Sequence, residues 1–214
     1  EKIRMSMGER IVALLRQGGV EAVFSQGDIT TRDVLKHAQR AGMHVVGPRH
    51  EASTIFSAMG YYAVTGKIQA AFGAMGPGVA NLLPSTVTAA REHIPVLIFG
   101  ATRHRGVAYA VRRGQWLSAP LEPVFAHLCK FSTVIQHPSE VDDAVRQALR
   151  AALSGTPAAN SGGSGHGIAG VVATGNVQRN RRCAFGGSQF NGNLEAMLAH
   201  RAAHIGSMIN RESA

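Results

Sequence analysis

The chain has 214 residues, a formal net charge of +9 at pH 7 and a hydrophobic content of 45%. This length supports one full hydrophobic core and a small second unit, but not two large domains. No apolar run approaches the roughly 20 residues that span a bilayer, and the charged start EKIRMSMGER lacks the apolar centre of a signal peptide. We therefore expect a globular, cytoplasmic protein that does not bind membranes.

The excess of positive charge permits a nucleic-acid-binding protein as one interpretation. The charges are dispersed, however, with small clusters at positions 103–105, 112–113 and 179–182, and only 6% of the residues are aromatic and able to stack on bases. We favour solvated arginines on helices and loops, some of which could meet anionic groups of a substrate or cofactor. Nucleic acid stays the lesser alternative.

Helical and strand patterns alternate from the N-terminus onward. In MGERIVALLRQGG, an apolar stripe at helical spacing predicts the first helix, which the glycine pair should end. The stripe consists of Met7, Ile11, Leu14 and Leu15. The short apolar run VEAVFS then predicts a buried strand.

The next segment, TTRDVLKHAQRAG, repeats the helical pattern. Thr30 and Asp33 have the spacing of a capping box, and Gly42 is placed to end the helix. The run MHVVG predicts the following strand.

A third helix is predicted from Glu51 to the Thr65 and Gly66 pair. Its apolar stripe is formed by Ala52, Ile55, Phe56 and Met59. The runs IQAAFGAM and IPVLIFGA predict two more buried strands, with a loop and a helix between them in GPGVANLLPSTVTAAREH.

The remaining elements close the first unit. Residues 102–115 are polar and predict an exposed loop, and LEPVFAHLCKFSTVIQH predicts a helix and a strand. In PSEVDDAVRQALRAALSG, Ser139 is placed as the N-cap of a last helix and Asp142 stands at the box position.

The alternation of apolar strands with helices predicts an α/β fold, a parallel sheet with helices on both faces. We expect this domain to occupy residues 1–157, followed by a flexible linker at 158–166 that is rich in small residues. Residues 167–214 contain one predicted helix, NLEAMLAHRAAHI, and are too few to fold alone, so they should pack on the first domain or on a second copy.

Two polar features interrupt this pattern. In GAMGPGVANL, between a strand and a helix, the missing side chains would let backbone N–H groups approach a ligand, although an ordinary tight turn explains the glycines equally well. Glu51 follows the strand before the third helix, where open parallel sheets bind ligands, and a carboxylate sheltered there could hold or pass a proton. The alternatives are a helix N-terminal acid and, for His50, a surface residue.

The order of these segments adds a further indication. RHEASTIFSAMGYYAVTGK, GPGVANL, REHIPVLIFGA and GQW together resemble the pyrimidine-binding domain of thiamine-diphosphate-dependent enzymes of the acetolactate synthase and 2-oxoacid decarboxylase superfamily. The resemblance covers residues 5 to about 157. It implies that Glu51 hydrogen-bonds the aminopyrimidine ring and so promotes removal of the proton from the thiazolium carbon, with His50 beside it.

The resemblance also implies roles for other positions. It places Gly76, Pro77, Gly78 and Asn81 near the pyrimidine, Gln26 and Gly27 at the border of the reacting centre, and Gln115 against cofactor and substrate. In each case loop geometry or surface polarity is the alternative explanation.

The C-terminal stretch resembles a shortened diphosphate-binding segment. In that family a Gly-Asp-Gly sequence begins a motif that ends in Asn and holds Mg2+; here the aligned residues are Gly186, Gly187 and Ser188, and Asn210 is the candidate metal ligand. A glycine supplies no side-chain oxygen for Mg2+, which departs from the pattern. The missing acid and the short tail suggest a truncated or reduced protein.

The resemblance implies a thiamine-diphosphate-dependent enzyme that cleaves or forms carbon–carbon bonds in 2-oxo acids or aldehydes, working as a dimer or tetramer. A binding or assembly module that keeps the fold without turnover is the main alternative, because the expected metal-binding acid is absent.

Overall fold

The computed structural model describes residues 4–102, 121–154, 169–174 and 183–184. Its strands are Arg4–Met5 (β1), Ala22–Ser25 (β2), His44–Val46 (β3), Gln69–Gly73 (β4), Val96–Thr102 (β5), Val134–Ile135 (β6), Ala169–Thr174 (β7) and Cys183–Ala184 (β8). Its helices are Met7–Gln17 (α1), Arg32–Arg40 (α2), Glu51–Thr65 (α3), Pro77–Ala80 (α4), Leu83–Arg91 (α5), Glu122–Leu128 (α6) and Val141–Leu153 (α7).

Six of the strands form one parallel sheet in the order β3-β2-β4-β5-β7-β6. Every residue of β2 and β4 is buried, as expected for strands that are covered on both faces. The predicted α/β class is therefore confirmed. The short strands β1 and β8 form a separate antiparallel pair.

Two hydrophobic clusters lie on the two faces of the sheet. One joins α1, α2 and α7 to side chains such as Phe72 and Phe99, whose rings stack 4.7 Å apart. The other joins α3, α5 and α6 to alternate strand residues such as Ala71 and Ile98. The alternation follows from the period of two along a strand. Within the described ranges, no helix is long and apolar enough to cross a membrane.

The predicted apolar stripe of α1 is buried except for the half-buried Met7, but the stripe of α3 is partly wrong. Ile55 is fully buried, whereas Phe56 is 46% exposed. The buried face of α3 combines two members of the predicted stripe with polar and small side chains, and its residues are Glu51, Thr54, Ile55, Ala58 and Met59. The face of α3 that is predicted from the spacing of apolar residues therefore differs from the face that is buried.

Both predicted capping boxes are wrong. Thr31 is the N-cap of α2, and the Asp33 carboxylate instead accepts hydrogen bonds from Ser6 Oγ (2.8 Å) and the Gly8 N–H (3.2 Å) at the start of α1. In the segment before α7, His137 rather than Ser139 caps the 3-10 turn Pro138–Glu140. Asp33 and Asp142, the two acids assigned to capping boxes, instead accept hydrogen bonds from residues far away in the sequence.

The sequence pattern places Ala169–Thr174 in the C-terminal segment 167–214, outside the first domain. In the structure it is β7, which lies between β5 and β6 and pairs with both. The end of the sheet therefore does not coincide with the boundary predicted near Pro157. The linker and the helix predicted at NLEAMLAHRAAHI lie outside the described residues.

Candidate functional site

The candidate residues gather at the carboxyl edge of three neighbouring strands. Strands β3, β2 and β4 are adjacent and parallel, so the segments that follow them emerge at the same edge. These segments are residues 26–31, residues 47–50 leading into α3, and residues 74–76 leading into α4. Such an edge is where open parallel sheets place their ligand sites.

Glu51 is the first residue of α3 and is only 7% exposed. Its Oε2 accepts a hydrogen bond of 3.0 Å from Asn81 Nδ2 at the end of α4. Among the described residues, Oε1 accepts no hydrogen bond and lies against Gly78. The position at the N-terminus of a 15-residue helix stabilises a negative charge at this carboxylate.

His50 is the N-cap of α3 and is exposed. Its Nδ1 accepts a hydrogen bond of 3.2 Å from the backbone N–H of Ala52, which satisfies one of the free amides at the helix start. His50 therefore orients the first turn of α3, the turn that carries Glu51.

The loop after β2 reaches the same region. Gln26 Nε2 donates to the carbonyl oxygen of Arg49 at 3.0 Å, which ties this loop to the residue before the α3 N-cap. Gly27 has a φ of +87°, and its N–H donates to Ser25 Oγ at 3.2 Å. The sequence positions predicted around Glu51 are thus brought together on this side.

Sequence reasoning missed the residues that shape the loop. Asp28 Oδ1 accepts from both the N–H (2.7 Å) and the hydroxyl (2.6 Å) of Thr30, and the Asp28 N–H donates to Thr31 Oγ1 at 3.1 Å. Both threonines are buried. The Asp-x-Thr spacing of an Asx turn was the signal that could have found this arrangement.

The glycine turn closes the other side of the site. Gly76 has a φ of +68°, a conformation that glycine adopts without strain, and it is the N-cap of α4, followed by the exposed Pro77. A Cβ atom added to Gly78 would lie 2.7 Å from Ala74 Cβ and 2.9 Å from Glu51 Oε1. Only glycine at position 78 leaves the Glu51 carboxylate in its observed place.

Several predicted site residues lie outside the described residues: Gln115, Gly186, Gly187, Ser188 and Asn210. In the part of the chain that the structure does describe, no group of three or more His, Cys, Asp or Glu side chains is placed to hold a metal ion. The predicted positions of metal and diphosphate binding remain predictions.

An ion pair whose two members have shifted pKa values lies at the opposite edge of the same strands. Glu21 precedes β2 and Lys67 precedes β4. Hydrogen bonding to Lys67, assisted by the Tyr61 hydroxyl at 3.0 Å, holds the pKa of Glu21 below its usual range and raises the pKa of Lys67. This group joins α3 to the strand ends and takes no part in the carboxyl-edge site.

Residues 5–117, more than half of the chain, match the family described as thiamine pyrophosphate enzyme, N-terminal TPP binding domain. The chain belongs to this family. The match includes β2 to β5 and therefore every described residue of the candidate site at the carboxyl edge.

Named relatives agree with this membership. The chain is 30% identical over 152 residues to 2-hydroxyacyl-CoA lyase 2 of Danio rerio, covering 70% of this chain and 24% of the relative. The corresponding protein of Mus musculus is 31% identical over 152 residues, with coverages of 70% and 23%. The acetolactate synthase large subunit of Parasynechococcus marenigrum is 28% identical over 148 residues, with coverages of 67% and 23%. The chain thus spans about a quarter of the length of these relatives.

Proposed function

We propose that this chain is the pyrimidine-binding part of a thiamine-diphosphate-dependent enzyme that cleaves or forms a carbon–carbon bond in 2-oxo acids or aldehydes. Family membership supports the cofactor, and the names of the relatives, a lyase and a synthase, support the reaction class. The single observation that carries the proposal is the buried Glu51 carboxylate, which has one oxygen held by Asn81 and the other free of hydrogen bonds from described residues.

The surroundings of Glu51 fit an aminopyrimidine ring. A ring nitrogen needs one partner that can hold a proton, and Glu51 Oε1 is an acceptor with no competing donor among the described residues. Gly76 and Gly78 present backbone without side chains beside it, so a flat ring can approach closely. The burial of Glu51 strengthens a charge-assisted hydrogen bond, because water competes less for the carboxylate.

The protein's own contribution follows from these positions. Glu51 holds or releases a proton at Oε1, His50 fixes the helix turn that carries Glu51, and the glycine turn leaves space for the ring. When bound, the cofactor would supply a nucleophilic carbon and an electron-accepting ring for cleaving or forming a carbon–carbon bond. Gln26 and Gly27 border the side from which a substrate would approach.

The rest of the site is proposed from sequence. Gln115 would face cofactor and substrate, and Gly186, Gly187, Ser188 and Asn210 would lie near the diphosphate and Mg2+. Because the site in such enzymes forms between domains of two subunits, we propose self-association as a dimer or tetramer. A cytoplasmic location and a small-molecule substrate complete the proposal.

Calorimetric titration with thiamine diphosphate and Mg2+ tests the function. We expect Glu51→Gln to weaken binding by about tenfold or more, because a neutral amide replaces the proton-holding oxygen. Glu92→Gln, an exposed position at the end of α5, is the matched control and should bind as the parent does. Equal affinity of Glu51→Gln and the parent chain would contradict the proposal.

A non-catalytic binding module is the second candidate, favoured by Gly187 standing where a metal-binding acid is expected. Assays of decarboxylation on pyruvate, benzoylformate and oxalyl-CoA separate the two functions. Cofactor binding without release of CO2 would favour the module, and Gly187→Asp should then raise the affinity for Mg2+. Salt-sensitive retention of DNA or RNA that survives Glu51→Gln would instead support a nucleic-acid binder.

A further inference from the structure

The single turn α4 and its C-cap residue Asn81 contact Glu51 at two positions. Asn81 Nδ2 donates to Glu51 Oε2 at 3.0 Å, across 30 residues of sequence. A Cβ atom at Gly78 would come within 2.9 Å of Glu51 Oε1, so the backbone of Gly78 limits the other side of the carboxylate. Positions 78 and 81 are three residues apart and thus share one side of the turn.

Side chains next to these positions, one in α4 and one just after it, fix the turn to the sheet. Val79 packs over Gly100 of β5, where an added Cβ would lie 2.9 Å from Val79 Cγ2, and Leu82 packs over Gly73 of β4, where it would lie 2.6 Å from Leu82 Cδ1. Both side chains are buried. Two glycines in adjacent strands therefore provide the recesses that seat this turn.

The Asn81 side chain has a defined partner already. Among the described residues, its one side-chain hydrogen bond is the one to Glu51, while its backbone N–H donates to the Pro77 carbonyl oxygen at 2.8 Å. A glutamate side chain has several rotamers, and fixing one of them beforehand removes an entropic cost from any later binding step.

We infer that Asn81 and Gly78 are positioning residues that hold the Glu51 carboxylate in one orientation, with Oε1 as its free proton-holding edge. The inference rests on the proposed function and deepens it, because Asn81 acts through Glu51 rather than on the ring. The turn α4 is then a support anchored to β4 and β5, and its glycine at position 78 keeps Oε1 in place.

The test uses two small probes with the full chain. One is 4-amino-5-hydroxymethyl-2-methylpyrimidine, the ring half of thiamine, and the other is its pyridine analogue, in which a C–H replaces the ring nitrogen that faces Glu51. The preference for the first probe over the second, measured by NMR titration, reports the proton-holding contact independently of turnover. We expect the parent chain to prefer the pyrimidine by about tenfold, the scale of one hydrogen bond to a charged group.

Asn81→Ala and Asn81→Asp should each remove most of this preference while leaving the affinity for the pyridine analogue within about twofold. The aspartate has nearly the same shape as asparagine but replaces a donor with a charge that repels Glu51. In a Glu51→Ala background, Asn81→Ala should cause no further loss, since no carboxylate remains to be positioned. Circular dichroism verifies folding. If Asn81→Ala is unfolded, the comparison of Asn81→Asp with the parent chain decides.

The outcomes separate the inference from the function. Asn81→Ala lowering the affinity for both probes equally, or retaining its full effect in the Glu51→Ala background, would overturn the positioning role while Glu51 keeps its function. A parent chain with no preference between the probes, together with an unchanged affinity in Glu51→Ala, would overturn the proposed function and this inference with it.

Discussion

At the scale of single residues, Glu51 combines a buried charge with only one hydrogen bond to its carboxylate among the described residues. Removing a carboxylate from water costs free energy, which one amide donor and the N-terminus of α3 counteract. Carboxylates in this setting are kept at functional sites at the expense of folding stability.

We therefore expect Glu51→Leu to raise the free energy of unfolding by about 1 kcal/mol, because an apolar side chain of similar length removes the desolvation cost. Urea unfolding followed by circular dichroism measures the change, with the exposed Glu92→Leu as the control. A loss of stability in Glu51→Leu would indicate that the carboxylate is required by the fold rather than by a ligand.

The importance of Glu51 could be recognised from the sequence, since it follows an apolar strand and begins an apolar helix. Its hydrogen bond to Asn81 could not, because the two residues are 30 positions apart and meet only when α3 and α4 pack at one edge of the sheet. The exposed Phe56 shows the same limit, since the packed face of α3 is decided by neighbours and not by its own pattern.

At the scale of elements, long-range polar contacts fix the helices that cover one face of the sheet. Asp142 in α7 pairs with Arg10 in α1 through two hydrogen bonds and also lies near Arg146. Hydrogen bonding to Arg10 lowers the pKa of Asp142 and raises that of Arg10. The sequence predicted both helices from apolar periodicity but gave Asp142 a capping role, because the local pattern does not show a partner 132 residues away.

This pair should make stability depend on pH. A carboxyl whose pKa is lower in the folded state stabilises the fold above its unfolded pKa of about 3.9, and the contribution is lost as the pH falls through the folded value. At neutral pH, Asp142→Asn should lower the free energy of unfolding by about 1–3 kcal/mol.

The difference between parent and variant should shrink as the pH is lowered toward 2, and urea unfolding at several pH values measures it. Asp143→Asn is the matched control, because Asp143 is the exposed neighbour on the same turn. A gap between Asp142→Asn and the parent that stays constant from pH 7 to pH 2 would contradict the argument.

At the scale of the whole molecule, the main sheet depends on a strand from the C-terminal part of the chain. Strand β7 pairs with β5 over six residue positions, and β6 pairs only with β7 among the described strands. The sequence predicted the strands β2 to β6, but β7 follows a stretch of small residues that resembles a linker. Its place in the sheet is set by tertiary pairing and not by a local signal.

Val172 lies opposite Gly100 of β5 and Val134 of β6. Because β7 has a strand on each side, the backbone N–H of residue 172 can donate a hydrogen bond to one neighbour or the other. A proline at position 172 removes that N–H. We expect Val172→Pro to lower the free energy of unfolding by about 3 kcal/mol, whereas Val172→Ala, which keeps the amide, should cost less. Equal stabilities of the two variants in urea would show that β7 does not hold the sheet together.

The order of these strands also has a consequence for synthesis on the ribosome. The chain emerges from its N-terminus, so β6 and α7 are made before the strand that β6 needs as its neighbour. Until residue 174 has left the exit tunnel, the open margin of β5 and the unpaired β6 are free to associate with other nascent chains. A pause in translation while residues 121–154 are outside the tunnel and residue 174 is still inside should therefore favour capture by chaperones, whereas a pause after residue 174 has left the tunnel should not.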